Sequence, residues 1–119
     1  MELHESGEMY LETILVLKEK GKDVRVTDIA KERNYSKASV SRGLSVLFDK
    51  GLIEYDDKGR VNLTDEGENI ASEIWDRHKF LTKFIESLGV SPETAEADAC
   101  RIEHVISKDT AEAIKKRIK

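Results

Sequence analysis

The sequence predicts a mainly α-helical chain in which an N-terminal winged helix-turn-helix is followed by an all-helical dimerisation domain. Three observations carry that prediction. Apolar residues recur at helical spacing along most of the 119 residues. The one stretch with strand character, Leu52 to Leu63, is a pair of short apolar runs directly after two closely joined helices. Beyond Thr64, stop and start signals at Gly89, Ser91 and Ser107 cut the chain into three helices whose Ala/Ile/Leu/Phe surface is too small to make a separate core. Pairing with a second copy would bury that surface, so a twofold homodimer is expected. The boundary is placed between residues 63 and 64, giving a winged-helix domain over 1–63 and a helical domain over 64–119.

Composition limits the alternatives. Hydrophobic residues at 39% against 37% charged describe a helix-rich globular chain with much solvated surface. A single Cys excludes an internal disulfide framework, and no apolar run reaches the roughly 18 residues that span a bilayer. Met1 to Gly21 is no secretory signal, because Glu8, Glu12, Lys18 and Glu19 interrupt its apolar positions. The expected compartment is the reducing cytoplasm. Net charge is −4, so a DNA-binding role has to rest on local placement of charge. From Lys31 to Arg60 the basic residues Lys31, Arg33, Lys37, Arg42, Lys50, Lys58 and Arg60 outnumber Glu32, Asp49, Glu54, Asp56 and Asp57.

Taken in order, the first helix is expected from about His4 to Lys20, with Tyr10, Ile14 and Leu17 on its buried stripe and Gly21 as its stop. Met9 and Glu12, three residues apart, share its flank. A short second helix follows with Thr27 as N-cap, then a turn at Asn34-Tyr35. Ser36 caps a third helix from Lys37 to about Asp49, buried through Val40, Leu44 and Leu47. Its other face carries Lys37, Ser39, Ser41, Arg42 and Ser45, small polar groups interleaved with positive ones. Two short helices with a tight turn between them, the second polar in front, suit a reader of the DNA major groove. Strands at Leu52 to Tyr55 and Arg60 to Leu63, joined by Asp56-Asp57-Lys58-Gly59, complete a wing that would lie beside the DNA backbone. The expected DNA-contacting residues are Thr27, Ser36, Lys37, Ala38, Ser39, Ser41 and Arg42, with Lys58 and Arg60 from the wing.

A long helix is expected from Asp65 to Leu88, with Ile70, Ile74, Leu81, Ile85 and Leu88 as its apolar stripe and His78 on or beside it. Ser91-Pro92 starts the next helix, expected to run to about Ile106, with Ala95, Ala99, Ile102 and Ile106 inward. Along its adjacent face Cys100, Glu103 and His104 fall at i, i+3 and i+4. A thiolate, a carboxylate and an imidazole on one arc are natural ligands of a first-row divalent transition metal, although three donors alone do not define a site. Ser107 caps a last helix from Lys108 to the end of the chain. A hydrolase is not indicated: there is no Gly-rich phosphate loop, nucleophile elbow or H-E-x-x-H helix.

Glu8-Met9-Tyr10-Leu11, the winged helix through Leu63, Arg77-His78 and Cys100-Arg101-Ile102-Glu103-His104 together resemble the diphtheria toxin repressor family of metal-dependent transcriptional regulators, including its manganese-transport branch. The resemblance covers essentially the whole chain. It implies a winged-helix domain on operator DNA, a helical dimerisation domain, and a divalent metal bridging the two. Met9, Cys100, Glu103 and His104 match the ligand set of the iron-responsive branch; the manganese branch has Asp and Glu where Met9 and Cys100 stand. Glu12 and His78 match positions that complete a second metal in the manganese branch. Of the iron branch's ancillary site only the His is kept, as His78, its Glu falling on Thr82 and its second His on Glu96. The resemblance thus implies Fe(II) as cofactor with Mn(II) as the alternative, and a short form in which no SH3-like domain follows Lys119. A constitutive winged-helix regulator, or one that answers another ligand, is the competing reading.

Overall fold

A computed structural model describes residues 5–118, leaving the expected start near His4 and the terminal Lys119 outside the described residues. The order is α1 (Glu5–Glu19), α2 (Val26–Arg33), α3 (Lys37–Asp49), β1 (Ile53–Tyr55), β2 (Val61–Leu63), α4 (Asp65–Ser87), α5 (Pro92–Ile102) and α6 (Lys108–Arg117). The chain divides into two compact units, one running to Ser72 and one starting at Glu73.

The first unit is the winged helix. Leu11, Ile14 and Leu17 of α1, Ile29 of α2, Val40, Leu44 and Leu47 of α3, and Leu52, Ile53 and Val61 around the hairpin form one buried cluster. The strands pair antiparallel, Ile53 opposite Leu63 and Tyr55 opposite Val61, and the Val61 amide also donates to the Val24 carbonyl at 2.7 Å. That bond ties the wing to the segment between α1 and α2. Two glycines set close approaches. A Cβ on Gly43 of α3 would fall 2.2 Å from the Tyr10 ring, and one on Gly67 of α4 would fall 1.9 Å from the Leu52 carbonyl oxygen. Thr64 fixes the second junction: its hydroxyl donates to the Gly51 carbonyl at 2.7 Å and accepts from the Gly67 amide at 3.1 Å.

α3 begins and ends where the sequence expects. The Ser36 hydroxyl accepts from the Ser39 amide at 3.1 Å, and Gly51 supplies the left-handed residue, φ +74°, just past its end. The turn before it rests on Asn34, with φ 58° and ψ 44°. α2 corrects the sequence expectation. Its N-cap is Arg25, with Thr27 already inside the first turn; the cap is made in reverse, by Asp28 accepting from the Arg25 amide at 2.9 Å.

In the second unit, Ile74 and Leu81 of α4, Ala95 and Ala99 of α5 and Ala111 of α6 are buried. Lys115 of α6 pairs with Asp76 of α4 at 2.8 Å. Ser91 and Ser107 cap α5 and α6 as expected, accepting from the Thr94 and Thr110 amides. Two expectations are corrected. α5 ends at Ile102 and not near Ile106, because the chain leaves the helix through Glu103 into a turn. α4 ends at Ser87, so Leu88 leaves the apolar stripe and is 66% exposed, next to Gly89 at φ +94°.

Candidate metal centre and DNA-reading surface

On α1, Met9 is half-buried and Glu12 is buried, which sets aside the ordinary expectation that Glu12 is a solvated edge. The end of α2 and the turn after it make polar contacts to this face. Arg33 Nε donates to Thr13 Oγ1 at 2.7 Å, that hydroxyl donates to the Met9 carbonyl at 2.8 Å, and Arg33 Nη2 stands 3.5 Å from Glu12 Oε1. The Tyr35 hydroxyl donates to Met9 Sδ at 3.6 Å.

In the second unit the structure brings together His78 and Glu103. His78 Nδ1 lies 2.9 Å from Glu103 Oε1, and the imidazole stacks on Trp75 with ring centroids 5.0 Å apart and planes at 8°. Arg77 donates to the Glu103 carbonyl at 2.6 Å, holding the backbone where α5 ends. The Glu103 side chain is 0% exposed, and its Oε2 has no hydrogen-bond partner among the described residues. Burying a carboxylate oxygen without a partner is unfavourable by about 1–3 kcal/mol, more if it is charged. Cys100, in the last turn of α5, and His104, just past its end, are both half-buried. The three donors expected on one helical arc are therefore divided between a helix, its cap and the following turn.

On α3, Lys37, Ala38, Ser41 and Arg42 are exposed, as are the cap Ser36 and, on α2, Thr27. Ser39 is partly covered, and Arg42 Nη2 donates to its hydroxyl at 3.3 Å. The wing places its two cations differently. Lys58 is exposed at the turn, whereas Arg60 binds Asp56 through Nε at 2.5 Å and Asp23 through Nη1 at 3.3 Å. Amide bonds from Arg60 and Lys58, with the Arg60 guanidinium, bring the Asp56 carboxyl down to about 2. Sequence reasoning missed Arg33, Tyr35 and Trp75. Only their positions, at the end of α2 and one turn before His78, could have marked them.

The N-terminal DNA binding domain of the iron dependent repressors matches residues 2–61, and the metal binding and dimerisation domain of the same repressors matches residues 64–119. The chain belongs to the iron-dependent repressor family. An uncharacterized HTH-type transcriptional regulator of Methanocaldococcus jannaschii is 33% identical over 95% of this chain and 92% of its own length. The transcriptional regulator MntR of Escherichia coli is 38% identical over 89% of this chain and 68% of its own. The iron-dependent repressor IdeR of Mycobacterium tuberculosis is 32% identical over 91% of this chain, which spans only 47% of that protein. Among solved structures, a manganese-dependent transcriptional repressor in complex with manganese superposes with a TM-score of 0.85 at 25% identity, over 93% of this chain and 51% of that one. As an iron-dependent repressor homologue the chain is a metal-dependent transcriptional regulator and not an enzyme, with DNA-binding and metal-binding domains in the order the sequence predicts. No helix among the described residues is long and apolar enough to cross a membrane.

Proposed function

We propose that this chain is a metal-activated repressor that binds palindromic operator DNA as a homodimer and controls metal-ion homeostasis in the cytoplasm. Residues 1–63 are the proposed DNA reader and 64–119 the metal-binding and dimerisation domain. Met9, Cys100, Glu103 and His104 are the proposed primary ligands, with Glu12 and His78 as donors toward a second ion. When bound, the ion supplies positive charge to buried carboxylates and coordination bonds that restrain the ligand-bearing segments of the two domains. Fe(II) is the metal this donor set favours, with Mn(II) as the alternative, because a thioether and a thiolate are soft ligands and manganese prefers oxygen.

The observation that carries the reading is Glu103, a wholly buried carboxylate with one oxygen on His78 and the other without a hydrogen-bond partner among the described residues. Such a group is retained where a cation can reach it. His78, stacked on Trp75, orients that carboxylate, and Arg77 fixes the backbone beneath it. In the first domain Ser36 fixes the start of α3, so that Lys37, Ala38, Ser39, Ser41 and Arg42 face the groove, with Thr27 on α2 and Lys58 beside the phosphates. Two copies of α3 in a twofold dimer match the half-sites of a palindrome.

The test is an anaerobic titration of Fe(II), Mn(II), Co(II), Ni(II) and Zn(II) in a binding assay on a duplex selected from a random pool. The expected result is tighter DNA binding with metal, lost in Cys100→Ala and Glu103→Ala while circular dichroism is unchanged. DNA affinity unaffected by saturating metal would support the constitutive reading instead. Metal-independent repression by either variant would show that this site is not the switch.

A further inference from the structure

The turn between α2 and α3 lies against the face of α1 that carries Met9 and Glu12. Arg33 is the last residue of α2, Asn34 takes the left-handed conformation, Tyr35 follows, and Ser36 caps α3. Anything that displaces residues 33 to 35 therefore displaces the start of the recognition helix. Both residues flanking Asn34 reach back to α1. Arg33 bonds the Thr13 hydroxyl at 2.7 Å, which in turn bonds the Met9 carbonyl at 2.8 Å, and its Nη2 lies 3.5 Å from Glu12 Oε1. The Glu12 side chain is only 3% exposed, so little water screens that charge pair. The Tyr35 hydroxyl is on Met9 Sδ at 3.6 Å, and its ring meets Tyr10 edge-on with centroids 6.3 Å apart.

We infer that Arg33 and Tyr35 are positioning residues that compete with the metal for Glu12 and Met9, making the turn at 33–35 the element through which metal capture is felt by α3. The inference rests on the proposed ligand roles of Met9 and Glu12. A guanidinium stays charged at every accessible pH, so a divalent ion arriving at the Glu12 carboxylate meets a fixed like charge and weakens its hold on Arg33. A thioether sulfur carries two lone pairs, and the Tyr35 hydroxyl donating to one of them leaves the sulfur a poorer donor to a metal. Metal binding thus removes contacts that hold the turn. That gives the two states of the turn different metal affinities, as coupling requires.

The experiment is anaerobic calorimetric titration of Mn(II), which reports on the Glu12 carboxylate, and of Fe(II), which reports also on the Met9 thioether, into the full chain, without DNA, for wild type, Arg33→Gln, Arg33→Lys and Tyr35→Phe. Arg33→Gln is expected to bind Mn(II) about threefold or more tightly than wild type, since a nearby positive charge is gone. Tyr35→Phe, which keeps the ring, is expected to bind Fe(II) more tightly by a smaller factor, and Arg33→Lys to stay near wild type in Mn(II) binding. Damage to the fold would weaken binding, so a gain is not a structural side effect. Arg33→Gln binding Mn(II) no more tightly than wild type overturns the role of Arg33, and unchanged Fe(II) affinity in Tyr35→Phe overturns that of Tyr35. Wild-type protein that binds neither Mn(II) nor Fe(II) would instead remove the metal-activated reading itself, and this inference with it.

Discussion

Replacing Glu103 by Met should leave the metal-free protein about as stable as wild type while abolishing its response to metal. Glu103 is 0% exposed, and Oε2 has no hydrogen-bond partner among the described residues. Substitution relieves an unsatisfied buried acceptor, worth about 1–3 kcal/mol, and forfeits the 2.9 Å bond to His78, whose loss likewise costs about 1–3 kcal/mol because the imidazole is itself largely buried. A Met of similar volume fills the space with a flexible apolar chain. The two largely offset, leaving a net change within about 2 kcal/mol of zero, and each kcal/mol is about 4 °C in Tm for a chain of this size. In wild type, Mn(II) at about 100 times its Kd should add about 2.7 kcal/mol, or roughly 10 °C. The assay is thermal unfolding by circular dichroism, with chelator and with Mn(II) or Fe(II) under anaerobic conditions. A metal-free variant that loses more than about 2 kcal/mol would show the carboxylate to be structural. A variant whose Tm still rises with metal as in wild type would show that Glu103 is not a ligand.

Further outcomes follow from the first unit. Gly67→Ala should destabilise by about 1–3 kcal/mol or more in urea unfolding, because its Cβ would meet the Leu52 carbonyl oxygen at 1.9 Å and a backbone atom cannot easily yield. Asp56, brought down to about 2, lies below its ordinary 3.8; its contribution is therefore present above about 3.8 and lost as pH falls through about 2. Asp56→Asn should flatten that part of the Tm profile between pH 5 and pH 2, and an unchanged profile would remove the hairpin network as its cause. On DNA, Lys37→Ala should lower the slope of log affinity against log salt by about 1, as one lost phosphate contact does. Arg60→Ala should change that slope little while lowering Tm, because Arg60 is engaged by Asp56 and Asp23. A full unit lost from the slope would show that Arg60 turns outward to the phosphates.

What the sequence made legible was local. α3 could be bounded because Ser36 caps it, Val40, Leu44 and Leu47 set its period and Gly51 takes the positive φ after it. The start of α2 was not legible, since Arg25 offers no capping oxygen and the cap comes from Asp28 reaching back. The end of α5 was overrun because Ile102 and Ile106 continue the apolar period, whereas the chain turns at Glu103, whose carbonyl is taken by Arg77 from α4. Of the proposed donors, Cys100, Glu103 and His104 stand out by type and spacing, whereas Met9, Glu12 and His78 are marked only by the family resemblance. The contacts that hold them, Arg33 and Tyr35 on α1 and Trp75 on His78, are the latter close in sequence and the former twenty or more residues away, and no periodicity reports either.

The central claim, that metal and DNA are linked through this chain, is tested most directly by measuring Mn(II) or Fe(II) affinity with and without a saturating duplex. Linkage requires that whatever factor metal adds to DNA affinity, DNA adds to metal affinity, typically about 5- to 150-fold. Metal binding tightened by the duplex within that range, and by the same factor as the DNA affinity, is the predicted result. Equal metal affinity in the presence and absence of DNA would contradict it.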